Sequence, residues 1–509
     1  MDVHIISVDT IKPSSPAPNH LTDVKLCSLD HLIPADYAPV IFFYPDQNNS
    51  KLLHNLPLLK QSLSQTLSRF SPLAGTIKDD LSIVCDDRGA RFVTAKAENL
   101  LLGDFLESPD LKVIAKLLPC GPVRKSADCV ANIQVTEFEC GGVSIGVCVS
   151  HKILDGVGLS TFLRSWACSA SSPEEKNPAR PDLSAPSIFP AADVSLRDSS
   201  MAMWGSLMRE GRFVTRRFVF DGSRIEILKE LAAAGSTRDR PTRIEAVSGF
   251  IWKCAAAASE ERFGHKRPSF VTHLVNLRKR ASPNLPQESF GNLLWLASAQ
   301  NTRVVNENVE FSELVGEVRK SISRIDGDFV KEMQCGEGLK FMRTCLEEIR
   351  KLGSEDHVDH YGFSSWCKLG FYDVDFGWGR PVWVSSIDAS GPFFMNLIIL
   401  VDRRFDDGIE AWVTLDEEEM AILEELLFLA LAVRFLGCVE TLPEANHSFT
   451  SYSTFLTSLL SYKVLNHHAR AFGLLEHHNQ AHNHLPELLS VLVVLIELQT
   501  HDHLLELVP

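Results

Sequence analysis

A strand with two contrasting faces places the strongest constraint on what this chain can fold into. The segment VSIGVCVS, residues 143–150, alternates branched apolar side chains with Ser, Gly and Cys. This period of two predicts a β-strand that buries its apolar face, and the run Ile133 to Glu139, before Cys140-Gly141-Gly142, predicts its hairpin partner. The face of small residues leaves room for another part of the molecule to approach the backbone closely.

The residues directly after this strand combine a histidine with an aspartate four positions later. In the run SHKILDGVG, residues 150–158, His151 stands at a predicted turn before a helix over Leu159 to Trp166. A rigid strand can hold such a side chain in a cleft, and two glycines would let the turn adopt conformations closed to other residues. Histidine is the natural general base near neutral pH. A histidine that only packs in the core is the alternative, and HxxxD alone does not exclude it.

Asp155, the aspartate of this pattern, has two readings from the residues alone. In a helical stretch its carboxylate would lie near His151 and could orient the ring or support its positive charge. With Gly156 directly after it, the side chain could instead bend away and brace the loop.

A second motif, Asp375-Phe376-Gly377-Trp378-Gly379, is far more specific. Average residue usage puts its chance occurrence in the chain below about one in a thousand. Aromatic residues between glycines predict a tight loop packed through its rings, and such a loop can fix the interface between two domains.

The 509 residues are too many for one typical core, so we expect two αβ domains. Residues 169–193 are rich in Ser, Pro, Ala and Glu, which indicates a crossover between domains. A second predicted hairpin, Phe393 to Val401 and Ile409 to Leu415, leads into a capping box at Thr414 and Glu417. We therefore expect an N-terminal domain over 1–168, a linker over 169–205, a C-terminal domain over 206–435 and an atypical tail over 436–509.

Charge and composition exclude several function classes. The formal net charge of −15 argues against nucleic acid and against anionic membranes as partners. We see neither a signal peptide nor a membrane span, and 12 cysteines without CxxC pairs are typical of reduced thiols in the cytoplasm. Half of the 18 histidines lie beyond residue 440. The pairs His467-His468 and His477-His478 lack the ligand spacing of a zinc site, so we expect no bound metal.

HxxxD at residues 151–155, together with DFGWG at residues 375–379, resembles the plant BAHD acyltransferases. The likeness is greatest to the vinorine synthase-like branch, whose members are alkaloid and terpenoid O-acetyltransferases. Further segments carry the resemblance, which extends from about residue 3 to about residue 430; they are Ile11 to Pro16, Phe42 to Pro45, Phe70 to Gly75, Pro241 to Ala246, Val275 to Arg278 and Ser289 to Asn292.

The resemblance implies an α/β protein with the two-domain chloramphenicol acetyltransferase-like fold, mixed sheets and a long crossover. It implies that His151 is the general base in a channel between the domains. Asp155, followed by Gly156, would point away and pair with Arg278 in support of the catalytic loop. Asp375, Phe376, Gly377, Trp378 and Gly379 would form a structural motif away from the reacting atoms, and Ser364 and Trp366 would face the reacting centre.

The implied reaction needs acetyl-CoA, or another acyl-CoA, as co-substrate and a small-molecule alcohol as acceptor, with no permanently bound cofactor. His151 would take the hydroxyl proton, the alkoxide would attack the thioester, and a donor such as Ser364 or Trp366 would stabilise the oxyanion. We expect a monomer.

Residues 436–509 have no counterpart in the family, and they fit either a lineage-specific extension or a gene-model artefact. They leave open an inactive or binding-only paralogue with a disrupted C-terminus. A peptide-condensation domain of the same superfold is a further alternative. Its HHxxxDG pattern is not met, because position 150 is Ser, and no carrier domain follows.

Overall fold

A computed structural model provides the structure of the protein. It describes residues 2–46, 55–79, 81–107, 109–121, 123, 129–171, 178–190, 194–233, 240–301, 310–385 and 393–426.

The described residues contain strands that belong to two large sheets and two small ones. In chain order they are β1 Asp2–Ile11, β2 Asp23–Lys25, β3 Tyr37–Tyr44, β4 Thr76–Lys78, β5 Ser82–Val84, β6 Ala90–Glu98, β7 Ala131–Phe138, β8 Val143–Ser150, β9 Arg209–Glu210, β10 Phe213–Phe220, β11 Ser269–Asn276, β12 Leu294–Asn301, β13 Asp359–Ser365, β14 Trp383–Ser385, β15 Phe393–Phe394, β16 Leu397–Asp402 and β17 Ile409–Asp416.

Helices cover the sheets and connect them. They are α1 Leu56–Arg69, α2 Leu102–Glu107, α3 Leu111–Lys116, α4 Gly156–Ser171, α5 Ala185–Ile188, α6 Val194–Leu207, α7 Gly222–Ala233, α8 Arg243–Phe263, α9 Phe311–Ser323, α10 Gly327–Gln334 and α11 Gly338–Gly353, and residues 417–426 are also helical.

The first large sheet has the order β1-β6-β7-β8-β3-β14, and β6 and β7 are its parallel pair. The predicted hairpin is present as β7 and β8. The apolar face of β8 packs against α1 and α4, which are fastened together where the Trp166 indole donates to the Leu59 carbonyl at 3.1 Å.

The backbone of the segment after α3 packs directly against the small-residue face of β8. A Cβ added at Gly146 would lie 2.2 Å from the Leu117 carbonyl oxygen, which no side chain could tolerate. The Cys148 thiol contacts the Cys120 carbonyl on the same face. What approaches this face closely is therefore the chain just after α3.

The second large sheet has the order β10-β17-β16-β13-β11-β12 and is also mixed, with parallel pairs between β11 and β13 and between β13 and β16. Helices α8 and α9 cover one of its faces through a continuous apolar cluster. The Thr242 side chain and Glu245 form a capping box that begins α8. The predicted second hairpin appears as β16 and β17, and Phe393–Phe394 pairs separately with β9. The capping box predicted at Thr414 and Glu417 is wrong, because Thr414 lies within β17 and Asp416 accepts from the Glu418 N–H instead.

One strand crosses between the two halves of the chain. Strand β14, from beyond the predicted linker, pairs with β3 at the edge of the first sheet. Its Trp383 stacks on Phe43 at 5.0 Å and donates to Glu410 of β17 at 2.9 Å. Arg217 of β10 holds the same carboxylate through two bonds of 2.7 and 2.8 Å. This arrangement joins the edge of one sheet to the other.

The division of the chain into domains stays a prediction. Part of the expected linker is helical in α5 and α6. The tail over 436–509, with His467, His468, His477 and His478, lies outside the described residues.

A buried carboxyl at the start of the 417–426 helix should make stability depend on pH. Burial, followed by the charge of Asp359, raises the pKa of Glu419 to about 7, although Arg262 lies 3.0 Å away. Because this exceeds the ordinary value of 4.5, the folded chain binds the proton more tightly than the unfolded chain. The stabilising contribution is full below about pH 4.5 and is lost as the pH rises through 7.

We predict that Glu419→Gln flattens the pH dependence of the unfolding free energy between pH 5 and 8 and stabilises the chain at pH 8 by about 1 kcal/mol or more. Urea titrations at several pH values measure this. Glu418→Gln is the matched control, since Glu418 pairs with the same Arg262 but is 74% exposed. An equal pH slope in wild type and Glu419→Gln would contradict the assignment.

Candidate active site

His151 follows directly on β8, and its backbone is held by the chain that precedes β3. The register pairs Tyr37 with Ser150, so the His151 N–H donates to the Asp36 carbonyl at 2.8 Å. The Ser150 hydroxyl donates to the Ala35 carbonyl at 2.9 Å. His151 is half-buried, whereas its neighbours on both sides are buried. The strand thus holds a partly accessible imidazole on a fixed backbone.

The ring of His151 meets an asparagine from the second half of the chain. The Nδ1 atom lies 3.0 Å from the Asn292 Oδ1 atom, and the Asn292 amide nitrogen donates to the His151 carbonyl at 2.8 Å. Asn292 also donates to Asp30 through its backbone N–H at 2.7 Å and its side-chain amide at 3.0 Å. The Nε2 atom makes no hydrogen bond to any described residue.

Asp155 is turned towards Arg278, and both side chains are fully buried. The two carboxylate oxygens accept from the guanidinium at 2.7 and 3.0 Å. They also accept from the backbone N–H groups of Gly158 at 2.9 Å and Leu293 at 3.1 Å. Asp155 therefore caps the N-terminus of α4 and forms an ion pair across the two halves of the chain.

The two glycines of the turn serve close packing. We expected them to permit unusual backbone conformations, but Gly156 and Gly158 lie in the first turn of α4 without positive φ angles. A Cβ at Gly156 would lie 2.7 Å from the Leu369 side chain. The close approach places the turn after His151 against the segment that leads into the second motif.

The DFGWG segment forms a tight loop beside α4. One oxygen of Asp375 accepts from the N–H groups of Gly377 at 2.8 Å and Gly379 at 2.9 Å. Both glycines have a φ of 103°, a region that other residues rarely adopt. Phe376 meets Trp166 of α4 edge-on at 4.7 Å and stacks on Trp378 at 5.4 Å.

Ser364 and Trp366 share one face at the end of β13. Ser364 is half-buried and pairs in register with Ile399 of β16. Trp366 packs against both apolar clusters of the first sheet and meets Phe371 edge-on at 5.5 Å. No hydrogen bond within the described ranges joins either side chain to His151, so their place at the reacting centre stays a prediction.

Neither Asn292 nor Asp30 is predicted as a site residue from the sequence. Asn292 is only the last residue of the segment Ser289 to Asn292, which carries part of the family resemblance. That segment was the available signal. Its proximity to His151 arises from the tertiary fold and is invisible in the spacing of the two residues.

Residues 1–427 match the model of the Transferase family. An epi-neemfruitin B 7-O-acetyltransferase of Melia azedarach is 42% identical, over 83% of this chain and 96% of the relative. A limonoid 7-O-acetyltransferase of Citrus sinensis is 40% identical, over 84% of this chain and 98% of the relative. The chain belongs to this family, that of the BAHD acyltransferases.

The crystal structure of vinorine synthase, an enzyme of Rauvolfia serpentina, matches the fold of this BAHD chain. The TM-score is 0.69 at 33% identity, and the match covers 83% of this chain and 96% of that one. The predicted fold class, a chloramphenicol acetyltransferase-like α/β fold with mixed sheets, is confirmed. The protein is therefore an acyltransferase.

Two other kinds of site are absent from the described residues. None of the helices in these ranges combines the length and the apolar character needed to cross a bilayer. Within the same residues, His, Cys, Asp and Glu side chains form no group of three that could hold a metal ion.

We predict that Asp155→Asn lowers the unfolding free energy by about 3–5 kcal/mol, because it leaves the buried Arg278 charge uncompensated. Urea unfolding measures the loss. Asp328→Asn is the control, since it removes an exposed ion pair with Lys331 and should cost less than about 0.5 kcal/mol. Normal stability together with lost turnover would mean that Asp155 acts on the chemistry instead.

Proposed function

We propose that this BAHD chain transfers an acetyl group from acetyl-CoA to a hydroxyl group of a plant specialised metabolite, with His151 as general base. One observation carries the assignment. The His151 ring is fixed through Nδ1, while Nε2 has no partner among the described residues and belongs to a half-buried side chain. A general base needs this combination of rigid placement and an accessible nitrogen.

The reaction follows from the needs of its two substrates. A hydroxyl is a weak nucleophile, whereas a thioester is already activated, so alignment and removal of one proton suffice. Nε2 of His151 takes the proton as the alcohol oxygen attacks the thioester carbonyl. The tetrahedral oxyanion then collapses, the carbon–sulfur bond breaks, and His151 returns the proton to the CoA thiolate.

The other predicted residues support this step. The Ser364 hydroxyl makes no hydrogen bond within the described part of the chain, so it is free to donate to the developing oxyanion, and the Trp366 indole is the second candidate donor. Asp155, Gly156 and Arg278 hold the turn that carries His151. Residues 375–379 hold α4 through their aromatic rings.

The relatives indicate the class of acceptor. The epi-neemfruitin B and limonoid 7-O-acetyltransferases are 42% and 40% identical to this chain, and vinorine synthase is 35% identical over a similar length. We therefore propose a terpenoid alcohol of the limonoid kind as the first acceptor and an alkaloid alcohol as the second. We propose that the enzyme acts as a monomer in the cytoplasm and keeps no permanent cofactor.

The test of this function is release of CoA thiol from acetyl-CoA in the presence of limonoids that carry a free 7-hydroxyl group, with product identified by its mass. The proposal predicts acetylated product with at least one of them or with an alkaloid alcohol. A folded protein that binds an acceptor, yet releases no thiol with any acyl-CoA donor, would contradict it and support a binding-only paralogue.

We predict that His151→Ala abolishes turnover while the protein stays folded, because the base is lost from a half-buried position. General-base catalysis contributes on the order of 10²- to 10⁴-fold. Steady-state kinetics and thermal unfolding measure the two effects. His357→Ala is the control, since this histidine is exposed and its ring lies 3.3 Å from the Glu355 carboxylate. Near-normal turnover in His151→Ala would remove the general-base assignment.

A further inference from the structure

We propose that Asn292 and Asp30, rather than Asp155, orient the His151 ring and support its positive charge during catalysis. The proposal rests on the proposed role of His151 as general base. It assigns two positioning residues, and both are buried.

The hydrogen bonds of Asn292 determine which way its amide faces. The amide nitrogen lies 2.8 Å from the His151 carbonyl and 3.0 Å from the Asp30 carboxylate, and both groups are acceptors. A flipped amide would set its oxygen against these two acceptors and lose both bonds. The oxygen must therefore face the ring.

This orientation in turn determines the tautomer of His151. An amide oxygen only accepts, so the Nδ1 atom at 3.0 Å must carry a proton. In the neutral ring the lone pair then belongs to Nε2, which is the form a base needs. Asn292 therefore hydrogen-bonds both the backbone carbonyl and the ring of His151.

Asp30 holds Asn292 and is a buried carboxylate without a cation partner among the described residues. It is 3% exposed, and it accepts from the N–H and side chain of Asn292 and from the Cys27 N–H at 2.9 Å. Burial raises the pKa of Asp30, and these donors, with the Cys27 thiol, act against the rise. Each of these hydrogen-bonding partners is a donor, so the ionised carboxylate can accept from all of them.

Asp155 and Asp30 differ in which groups compensate the charge of the carboxylate. The charge of Asp155 is compensated by Arg278 at 2.7 Å. Asp30 instead accepts from the Asn292 amide nitrogen, and the oxygen of the same amide faces the His151 ring. When Nε2 takes the substrate proton, Nδ1 keeps its own proton and Asp30 stays ionised. The amide dipole and the carboxylate then stabilise the imidazolium.

The first readout does not depend on acetyl transfer. The measurement is NMR of the full-length chain labelled with ¹⁵N-histidine. The His151 signals are assigned as those that disappear in the variant His151→Gln. We expect wild type to show a protonated Nδ1 and an unprotonated Nε2 in the neutral ring, and Asn292→Ala to shift the proton towards Nε2. Cys27→Ala, which leaves the hydrogen bonds from Asn292 to Asp30 and to the His151 ring in place, should leave the tautomer unchanged. An unchanged tautomer in Asn292→Ala overturns the proposal.

The second readout is kinetic, with acetyl-CoA and a 7-hydroxy limonoid. We expect Asn292→Ala to lower kcat about 10- to 100-fold with little change in KM, as other partners that orient a histidine do. Asp30→Asn, which keeps the shape, should move the acid limb of the kcat/KM profile to lower pH, because a negative charge that favours the imidazolium is gone. The charged residues on the elements around the ring are Asp30, Asp36, Lys152, Asp155 and Arg278, and only Asp30 changes in this variant.

The two readouts separate the possible failures. Absence of transfer in wild type with the predicted tautomer intact would count against the proposed function and leave the positioning network supported. If Asn292→Ala does not fold, Asp30→Asn still tests the proposal. The role of Asp30 is overturned if the acid limb of the kcat/KM profile, or the midpoint of the His151 titration measured by NMR, is the same in Asp30→Asn as in wild type.

Discussion

The buried ion pair between Asp155 and Arg278 is the interaction on which the geometry around His151 depends. Both side chains are fully buried, and the carboxylate also caps α4 and accepts from the Leu293 N–H. Removing either partner would leave an uncompensated charge in the interior. The pair therefore fixes the turn after β8 against the loop that carries Asn292, and His151 lies between the two.

A segment before β3 completes the frame from the other side. Residues 27–36 connect to the turn through the Asp36 and Ala35 carbonyls, and to α6 through the Leu32 carbonyl, which accepts from Trp204 at 2.7 Å. The side chain of Asp30 reaches Asn292 from the same segment. His151 thus lies where the segment before β3, the turn after β8 and the loop with Asn292 meet. These contacts explain how a half-buried ring keeps one orientation.

The sequence predicted local features well and tertiary contacts poorly. The alternation over residues 143–150 predicted β8, and the family likeness implied the ion pair to Arg278, which periodicity alone could not. The expected reason for the glycines at 156 and 158, an unusual backbone conformation, was wrong, because both have ordinary helical φ angles. The close approach of Leu369 to Gly156 cannot be seen from neighbouring residues. Asn292 and Asp30 could not be predicted as neighbours of His151, because they lie far from it in sequence and approach it only in the folded chain.

The most direct test of this account is a double-mutant cycle on Asp155→Asn and Arg278→Met, measured by urea unfolding. The account predicts that the double variant is more stable than the sum of the two single losses implies, with a coupling free energy of about 2 kcal/mol. The reason is that removing both charges avoids an uncompensated buried ion. Single losses that simply add would contradict the view that this pair holds the turn that carries His151.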